Sequence, residues 1–481
     1  MQLGCTVARE KLQRKHVAYM NPAFKDMKTS CLRRMGWILL VLAAAPASAQ
    51  TTASSADPQI ASALKQISAE KIRANIEKLV SFQTRSTLSA QDPASISAGR
   101  GIGAAREWIK SEFERYSRDC GGCLEVKTDS FTEQPADRIP KPTIITNVYA
   151  VLKGTDPESA KRIILVTGHY DSRNSDTLDT TGVAPGANDD GSGTAVSLEC
   201  ARVLSKLKFP ATIIFLTVAG EEQGLNGSHH FAQMAKSEGW NIEAVLNNDI
   251  VGGDRNSQQD ASLVRVFSEG VPIAATDAEL KLIRNLGGES DSQSRQIARY
   301  VAEVARTYQV GVKPVLVFRL DRYLRGGDHI SFNQQGLAAV RFAEYREDYH
   351  HQHQNVRTEN GIEYGDLPKF VNFDYGANVA RLNAATLASL ASGPAPPGKV
   401  RLVTKELEND STLTWDPSPG RASTYEVLWR ATTSAEWEHT QAVGNVAKTT
   451  LPISKDNVIF AVRAVDEAGH RSLPVVPTPE R

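Results

Sequence analysis

Residues 162–170 read RIILVTGHY, an apolar run that leads into His169 and Tyr170 and is followed by Asp171. A short continuous run of branched residues is typical of a strand that is buried on both faces. Helical and strand-like patterns then alternate: a helix over about 194–207, the strand ATIIFLTVAG at 211–220, a helix over 227–238 and the strand IEAVLNNDIVG at 242–252. This alternation predicts parallel strands joined by crossover helices, and therefore an α/β fold.

Segments on both sides extend the pattern. Residues 57–82 carry apolar side chains at near-helical spacing, with Asp57 placed to cap the helix. The other predicted segments are a helix over about 97–116, strands at 123–131, 146–154, 313–320 and 337–345, and a long closing helix within 365–391. We therefore expect a mixed, mostly parallel sheet sandwiched by helices.

The composition changes at a stretch rich in proline and glycine, SGPAPPGKV, at 392–400. A chain of 481 residues is long enough for two domains. The segment beyond this stretch has period-two strands separated by turns, which predicts a small all-β sandwich. Its strands around Trp415, at 425–430 and at 460–472 resemble those of a fibronectin type III module. The predicted parts are an N-terminal extension with a signal peptide at 1–49, the α/β domain at 50–392, a linker at 393–398 and the sandwich at 399–481.

The N-terminus has the features of a secretory signal. From Met27 the chain carries a lysine and two arginines, then an apolar run over about 37–45, then the small residues Ala-Ser-Ala at 47–49. The run is shorter than the ~20 residues that span a bilayer. We therefore predict cleavage after Ala49, a secreted or periplasmic protein, and no membrane span in the mature chain.

Export affects the expected state of the cysteines. In an oxidising compartment, Cys120 and Cys123 in CGGC are expected to form a small disulfide loop. Cys200 follows a helical apolar pattern and is expected to be a buried free thiol. The 55 basic and 55 acidic residues balance, so the net charge gives no support for a nucleic-acid partner.

Carboxylates and a histidine follow successive predicted strands. His169 and Asp171 end the first strand, Glu221 and Glu222 follow the second, and Asp249 follows the third. By itself each acid is explained by a solvated loop. The carboxyl ends of parallel strands meet at one edge of a sheet, however, so these residues are expected to converge. Oxygen ligands with an imidazole predict a divalent metal site that favours zinc.

The connection after the first strand contains GANDDGSG at 186–193. Its three glycines and Asn188 are ordinary turn residues, and it lacks the lysine of a phosphate-binding loop. Alone it is explained by a solvated turn. Beside the other strand ends, Asp189 becomes a further candidate ligand. The stretch EDYHHQHQNVR at 347–357 adds three histidines, at positions 350, 351 and 353, after another strand.

The order of these motifs resembles that of the zinc aminopeptidases of family M28, over roughly residues 60–390. The resemblance implies two zinc ions bridged by Asp189. It implies that His169 and Asp249 hold one ion, and that Glu222 and one of the three histidines hold the other. Among these, His351 is preferred because Asn355 follows it by four residues, where the family commonly has an aspartate; His350 is the alternative and His353 the third choice.

Other roles also follow from the resemblance. Glu221 is the expected general base toward a metal-bridging water, and Asp171 is expected to orient His169. RGGDHISF at 325–332, with Asp328, is similar to the SDHxxF segment of the family, although Gly327 replaces its serine. The implied activity is that of an aminopeptidase acting on peptides with a free N-terminus. Alternatives are a carboxypeptidase or dipeptidase, a single-zinc glutaminyl cyclase-like acyltransferase, and a binding protein without catalysis. The C-terminal sandwich is expected to bind a protein or polysaccharide surface, to act as a spacer, or to stabilise the chain.

Overall fold

The computed structural model describes residues 55–480 of the protein. The predicted signal peptide and its cleavage site lie outside this range. In the described residues, no helix combines the length and apolar character that crossing a membrane requires. All of these residues belong to one compact unit.

In the described residues, all α-helices lie before the predicted linker at 393–398. They are α1 (Pro58–Leu64), α2 (Ala69–Val80), α3 (Pro93–Ser97), α4 (Gly101–Asp119), α5 (Gly191–Leu204), α6 (Asn226–Ser237), α7 (Asp277–Leu286), α8 (Gln293–Tyr308), α9 (His329–Gln334) and α10 (Phe373–Ser392), with 3₁₀ turns at Ser159–Lys161 and Pro368–Phe370.

In the described residues, the strands before residue 345 belong to one large sheet, and those after residue 397 belong to two small sheets. They are β1 (Leu124–Glu133), β2 (Thr143–Leu152), β3 (Arg162–His169), β4 (Thr212–Val218), β5 (Asn241–Asn248), β6 (Leu263–Ser268), β7 (Lys313–Val317), β8 (Ala339–Glu344), β9 (Arg357–Glu359), β10 (Ile362–Tyr364), β11 (Gly398–Val403), β12 (Ser411–Asp416), β13 (Thr424–Ala431), β14 (His439–Gly444), β15 (Lys448–Leu451), β16 (Val458–Val465) and β17 (Thr478–Glu480).

The large sheet has eight strands in the order β1-β2-β4-β3-β5-β8-β6-β7. The central strands β4, β3, β5 and β8 are parallel to their neighbours within this set, whereas β1, β2 and β6 add antiparallel pairs. The predicted α/β fold with a mixed sheet is confirmed.

Helices cover both faces of this sheet. Ile164 and Val166 of β3 pack into a core shared with α2, α5 and α10. Leu165 between them faces the opposite side, where Phe231 of α6 and Phe332 of α9 pack. Side chains alternate along a strand, so the apolar run at 162–170 supplies both cores. Burial on both faces explains why its sequence is apolar throughout.

One prediction of secondary structure is corrected, and one further segment forms elements that the sequence patterns did not predict. The single helix expected over residues 57–82 is two helices, because the side chain of Ser68 accepts a hydrogen bond from the backbone of Lys71 and starts α2 anew. A serine at this position satisfies a backbone N–H that a new helix leaves free. Residues 263–308, to which the sequence analysis assigned no element, form β6, α7 and α8; a capping box between Thr276 and Glu279 begins α7.

The C-terminal strands form two sheets, in the orders β15-β12-β11-β17 and β14-β13-β16. Trp415, Tyr425 and Phe460 lie in the core that these sheets share. Several ion pairs connect this sandwich to the helical layer. Among them, Arg430 Nη2 lies 2.6 Å from Asp291 Oδ1, and Arg463 Nη1 lies 2.7 Å from Glu303 Oε2. The predicted all-β sandwich is therefore present, and it packs directly against α8.

Candidate metal centre

The ends of three adjacent strands carry the candidate site. His169 is the last residue of β3, Glu221 and Glu222 follow β4, and Asp249 follows β5. These strands are neighbours in the order β4-β3-β5 and run in parallel. Their carboxyl ends therefore lie at the same edge of the sheet, and the predicted convergence is observed. Asp189 precedes α5, which begins at this edge.

Two groups of potential ligands share Asp189. In the first group, His169, Asp189 and Asp249 bring ligand atoms within 4.8 Å of one another, and all three side chains are buried. In the second group, Asp189, Glu222 and His353 also bring ligand atoms within 4.8 Å of one another, and His353 is half-buried. Asp189 Oδ1 lies 3.1 Å from His169 Nε2, whereas its Oδ2 lies 2.8 Å from His353 Nε2. One carboxylate thus faces both groups.

The structure corrects the choice among the three histidines. His353 Nε2 also lies 3.1 Å from Glu222 Oε1, so His353 completes the second group. His351 Nδ1 instead lies 2.5 Å from Asp254 Oδ2, and its ring stacks on Phe370 with centroids 3.6 Å apart. His350 is exposed and pairs with Asp348.

The reason for this outcome is the local backbone. His353 has a φ of 56°, in the left-handed region, which non-glycine residues adopt mainly in turns. This turn directs its ring toward Asp189. Asn355, whose spacing favoured His351, accepts a hydrogen bond from Ser175 Oγ at 3.0 Å. Sequence spacing alone gives no information about this left-handed turn at His353.

Two further aspartates hold His169 in position. Asp171 Oδ1 lies 3.3 Å from His169 Nδ1, and its Oδ2 accepts a hydrogen bond from Thr87 Oγ1 at 2.9 Å. Asp190, which the sequence analysis did not assign, accepts hydrogen bonds from the backbone N–H groups of His169 and Gly193. The second of these bonds caps α5. The sequence feature that could have predicted this cap is an aspartate three residues before a glycine in a helical segment.

The buried arginine Arg85 was also missed. Its Nε donates to the carbonyl of Tyr170 at 2.7 Å, and its Nη1 and Nη2 donate to the carbonyls of Pro185 and Gly186 at 2.6 and 2.8 Å. Arg85 thereby connects the end of β3 to the loop that carries Asp189. Nothing in the sequence around it indicates these partners, because all three are backbone carbonyls.

Two other arginines contact the ligand groups. Arg173 Nε lies 2.8 Å from Glu222 Oε2, and its Nη2 lies 2.6 Å from His353 Nδ1. Arg341 Nη2 lies 3.0 Å from Asp249 Oδ1. The signal for Arg341 was a charged residue inside the apolar strand LAAVRFAEY, since buried charges are rare unless they are paired.

The remaining acids lie close to these groups. Although burial opposes it, the carboxylates of Glu222 and Asp189 raise the pKa of His353 to about 10. Burial raises the pKa of Asp328 to about 7 and holds the pKa of Glu221 well above its usual range. Burial is the main cause for Asp328 and Glu221, and neighbouring carboxylates such as Asp249 add to it, whereas neighbouring carboxylates alone account for the raised pKa of His353. The strand edge thus carries a surplus of buried carboxylates. Such a surplus favours the binding of cations.

The donor atoms fit zinc. His169 Nε2 and Glu222 Oε1 are buried and make no hydrogen bond within the described residues. A buried polar atom without a hydrogen-bond partner is costly, and a metal ion in each group would satisfy one of these two atoms. Imidazole nitrogens combined with carboxylate oxygens are a usual ligand set for zinc. His169, Asp189 and Asp249 would hold one ion, and Asp189, Glu222 and His353 would hold a second.

The chain is similar to known proteins. A profile of peptidase family M28 matches residues 147–367, which include both ligand groups. A probable zinc metalloprotease of Pyrenophora tritici-repentis is 46% identical over 429 residues, covering 88% of this chain and 87% of the relative. A probable zinc metalloprotease of Pyricularia oryzae is 45% identical over 434 residues, covering 88% and 85%.

Among solved structures, the LapA aminopeptidase of Legionella pneumophila is similar, with 22% identity, a TM-score of 0.48 and coverage of 69% of this chain and 75% of that one. Because the two fungal relatives match over most of both chains and the family profile includes the strand edge described above, this protein belongs to peptidase family M28.

Proposed function

We propose that the protein is an exported zinc aminopeptidase that removes N-terminal residues from peptides and uses two zinc ions. The observation that carries this proposal is the position of Asp189, whose two carboxylate oxygens face separate groups of ligand atoms. A carboxylate shared in this way is suited to bridging two metal ions. When bound, zinc lowers the pKa of a coordinated water to about 7 and polarises the scissile carbonyl.

Glu221 is the proposed general base. Its backbone N–H and that of Glu222 donate to the two carboxylate oxygens of Asp171, at 3.4 and 3.2 Å. Asp171 thus anchors both glutamates and faces His169. The Glu222 side chain contacts Arg173 and His353, whereas the Glu221 carboxylate makes no hydrogen bond to the described residues. Glu221 is therefore free to accept a proton from the attacking water and to deliver it to the leaving amine.

The surplus of acids supports an aminopeptidase. A free α-ammonium group is a cation, and carboxylates that are not engaged with metal can bind it. Glu221 and Asp328 lie at this edge, and Asp328 is fully buried without a hydrogen bond in the described residues. Binding of the α-amine beside the scissile bond would restrict cleavage to the first residue of a peptide.

Arg173 favours a second candidate, a dipeptidase or carboxypeptidase. Its guanidinium lies beside Glu222 and His353 and is partly exposed. A guanidinium is well suited to binding a carboxylate with two parallel hydrogen bonds, so it could hold the free C-terminus of a short substrate.

Substrates blocked at one end separate these functions. An aminopeptidase hydrolyses aminoacyl-p-nitroanilides and peptides with an amidated C-terminus, but not peptides with an acetylated N-terminus. The opposite preference would contradict the proposal. The variant Arg173→Gln adds a control: for a dipeptidase or carboxypeptidase, its kcat/KM should fall strongly on free-acid dipeptides and little on their amides.

The glutaminyl cyclase-like alternative requires a single zinc ion. The second ligand group, completed by His353, is the feature that argues against it. Elemental analysis combined with an assay for pyroglutamate formation from glutaminyl peptides tests this alternative. One zinc per chain together with pyroglutamate formation would replace the proposed hydrolysis.

Export is proposed from the signal-like segment ending at Ala49. The disulfide between Cys120 and Cys123 supports an oxidising compartment, whereas Cys200 is free and buried. We further propose that the C-terminal sandwich is a fibronectin type III-like module. Mass spectrometry of the protein recovered from the culture medium or periplasm should find a chain that begins at residue 50. Retention of residues 27–49 would contradict cleavage.

A further inference from the structure

A small cavity lies beside the two ligand groups and shares only Asp189 with them. Its volume is ≈10 Å³, and its lining includes Asp254, Glu344, Asp348 and His351. This volume is about that of a single water-sized site. The cavity therefore has room for one ion or one water, and its walls are mostly carboxylates.

Three side chains of the cavity form a potential ligand group. Asp254, Asp348 and His351 bring ligand atoms within 4.8 Å of one another. His351 Nδ1 lies 2.5 Å from Asp254 Oδ2, and stacking on Phe370 fixes the plane of the imidazole ring. The group therefore has a defined orientation before any ion binds.

Glu344 provides an independent observation. Its side chain is fully buried at the end of β8. Its Oε2 accepts hydrogen bonds from Asn188 Nδ2 at 3.0 Å and from the backbone N–H of Asp254 at 2.8 Å. Its Oε1 is buried and has no hydrogen-bond partner in the described residues. Glu344 thus adds an unsatisfied carboxylate oxygen to the cavity that Asp254 and His351 line.

The arginines near the cavity are paired with another carboxylate of its lining. Arg265, Arg322 and Arg325 all contact Glu347. Asp348 Oδ1 accepts hydrogen bonds from the backbone N–H and Nδ1 of His350. The carboxylates of Asp254, Glu344 and Asp348 therefore have one basic side chain among them inside the cavity, that of His351.

We infer that His351, Asp254 and Asp348 bind a further zinc ion, separate from the two that the proposed function requires. One imidazole and two carboxylates are ligands of the types that zinc takes in proteins, and the unsatisfied oxygen of Glu344 belongs to the lining of the same cavity. The ion would join the histidine-rich loop to the loop after β5. His353 lies on the same loop two residues away, so this ion would hold the turn that directs His353 toward Asp189.

The test counts zinc ions on the full chain. The purified protein and three variants, His351→Gln, Asp254→Asn and His350→Gln, are equilibrated with ZnCl₂ alone, separated from free zinc by gel filtration and analysed by elemental mass spectrometry. We expect about three zinc ions on the unaltered protein and one fewer on His351→Gln and Asp254→Asn. His350→Gln is the matched control: His350 is exposed and contacts Asp348 but is not a member of the group, so this variant should keep the full count.

A count of two on the unaltered protein would overturn the inference, whatever the variants do. Equal counts on His351→Gln and His350→Gln would also overturn it. Measuring kcat separates failure of this inference from failure of the proposed function. His351→Gln should lose zinc while its kcat falls less than about tenfold. His353→Gln should lose zinc and nearly all activity. An equal loss of activity in both variants would assign His351 to the catalytic ions and overturn the separate site.

Discussion

Arg341 and Asp249 form a buried ion pair in which Nη2 of Arg341 lies 3.0 Å from Oδ1 of Asp249. The other terminal nitrogen of Arg341 lies 2.9 Å from Asp321 Oδ2 and donates to the carbonyl of Gly326 at 2.9 Å. Arg341 is thus shared between a candidate zinc ligand and a second aspartate that does not belong to the ligand groups.

Replacing Arg341 with Met should destabilise the zinc-free protein by about 3 kcal/mol, because breaking a buried ion pair leaves uncompensated charges. Zinc would still pair with Asp249, so the loss should be smaller in the zinc-loaded protein. Urea unfolding with and without zinc measures both values. Arg357→Met, which breaks an exposed pair with Glu359, is the control and should change stability by less than about 0.5 kcal/mol. Equal losses with and without zinc would contradict the assigned contact.

The same pair explains the glycine at position 327. A Cβ atom there would lie 3.1 Å from Asp249 Oδ2 and 3.3 Å from Arg341. Gly327→Ser, which restores the serine of the similar segment in the family, should displace Asp249 by a few tenths of an ångström and lower kcat about tenfold or more. At the neighbouring glycine, a Cβ would contact only the flexible end of Ile330 at 3.1 Å. Gly326→Ala is therefore the control, and a comparable fall in its kcat would refute the argument.

Adjacent Glu221 and Glu222 are assigned different roles. Glu221→Ala should keep the zinc content and lower kcat by roughly two to four orders of magnitude, the size of a general-base contribution. Glu222→Ala should lose one zinc, since its Oε1 faces His353. Zinc content and kcat of the two variants, measured together, decide the assignment. If Glu221→Ala loses the metal and Glu222→Ala does not, the roles are reversed.

The contact between the sandwich and α8 should contribute to stability. Arg430 and Asp291 are buried and lie 2.6 Å apart, so Arg430→Met should cost about 3 kcal/mol of unfolding free energy. Arg306 contacts Glu436 across the same interface but is exposed, so Arg306→Met should cost less than about 1 kcal/mol. Thermal or urea unfolding compares them. Similar small losses would mean that the sandwich is only loosely attached.

His470 in the sandwich contacts Asp57 and Asp466, at 2.9 and 3.1 Å. Hydrogen bonds to Asp466 and Asp57 raise its pKa above 6.5. A group whose pKa is higher in the folded state stabilises the protein fully below its unfolded pKa, and the contribution is lost as the pH rises through the folded value. The stability lost in His470→Gln should therefore be larger at pH 5.5 than at pH 9. A difference that is independent of pH would exclude a charged His470 in this contact.

The fold class and the sheet edge that carries the site follow from local patterns in the sequence. The apolar run at 162–170 requires burial on both faces, and parallel strands then bring His169, Glu222 and Asp249 to one edge. These inferences depend on periodicity and on chain direction, which are local properties of the sequence. The serine at position 68 that caps α2 is also a local feature of the sequence, and it could have predicted the start of that helix.

The choice of the histidine that faces Asp189 depends on how the loops pack. Three histidines within four residues have the same chemistry, and the left-handed turn at His353 separates them. The partner of His351 is Asp254, which lies 97 residues earlier in the chain. Arg85 and Arg341 likewise find partners from distant segments. Such contacts depend on how the loops pack after the strands have paired, and neighbouring residues carry little information about that packing.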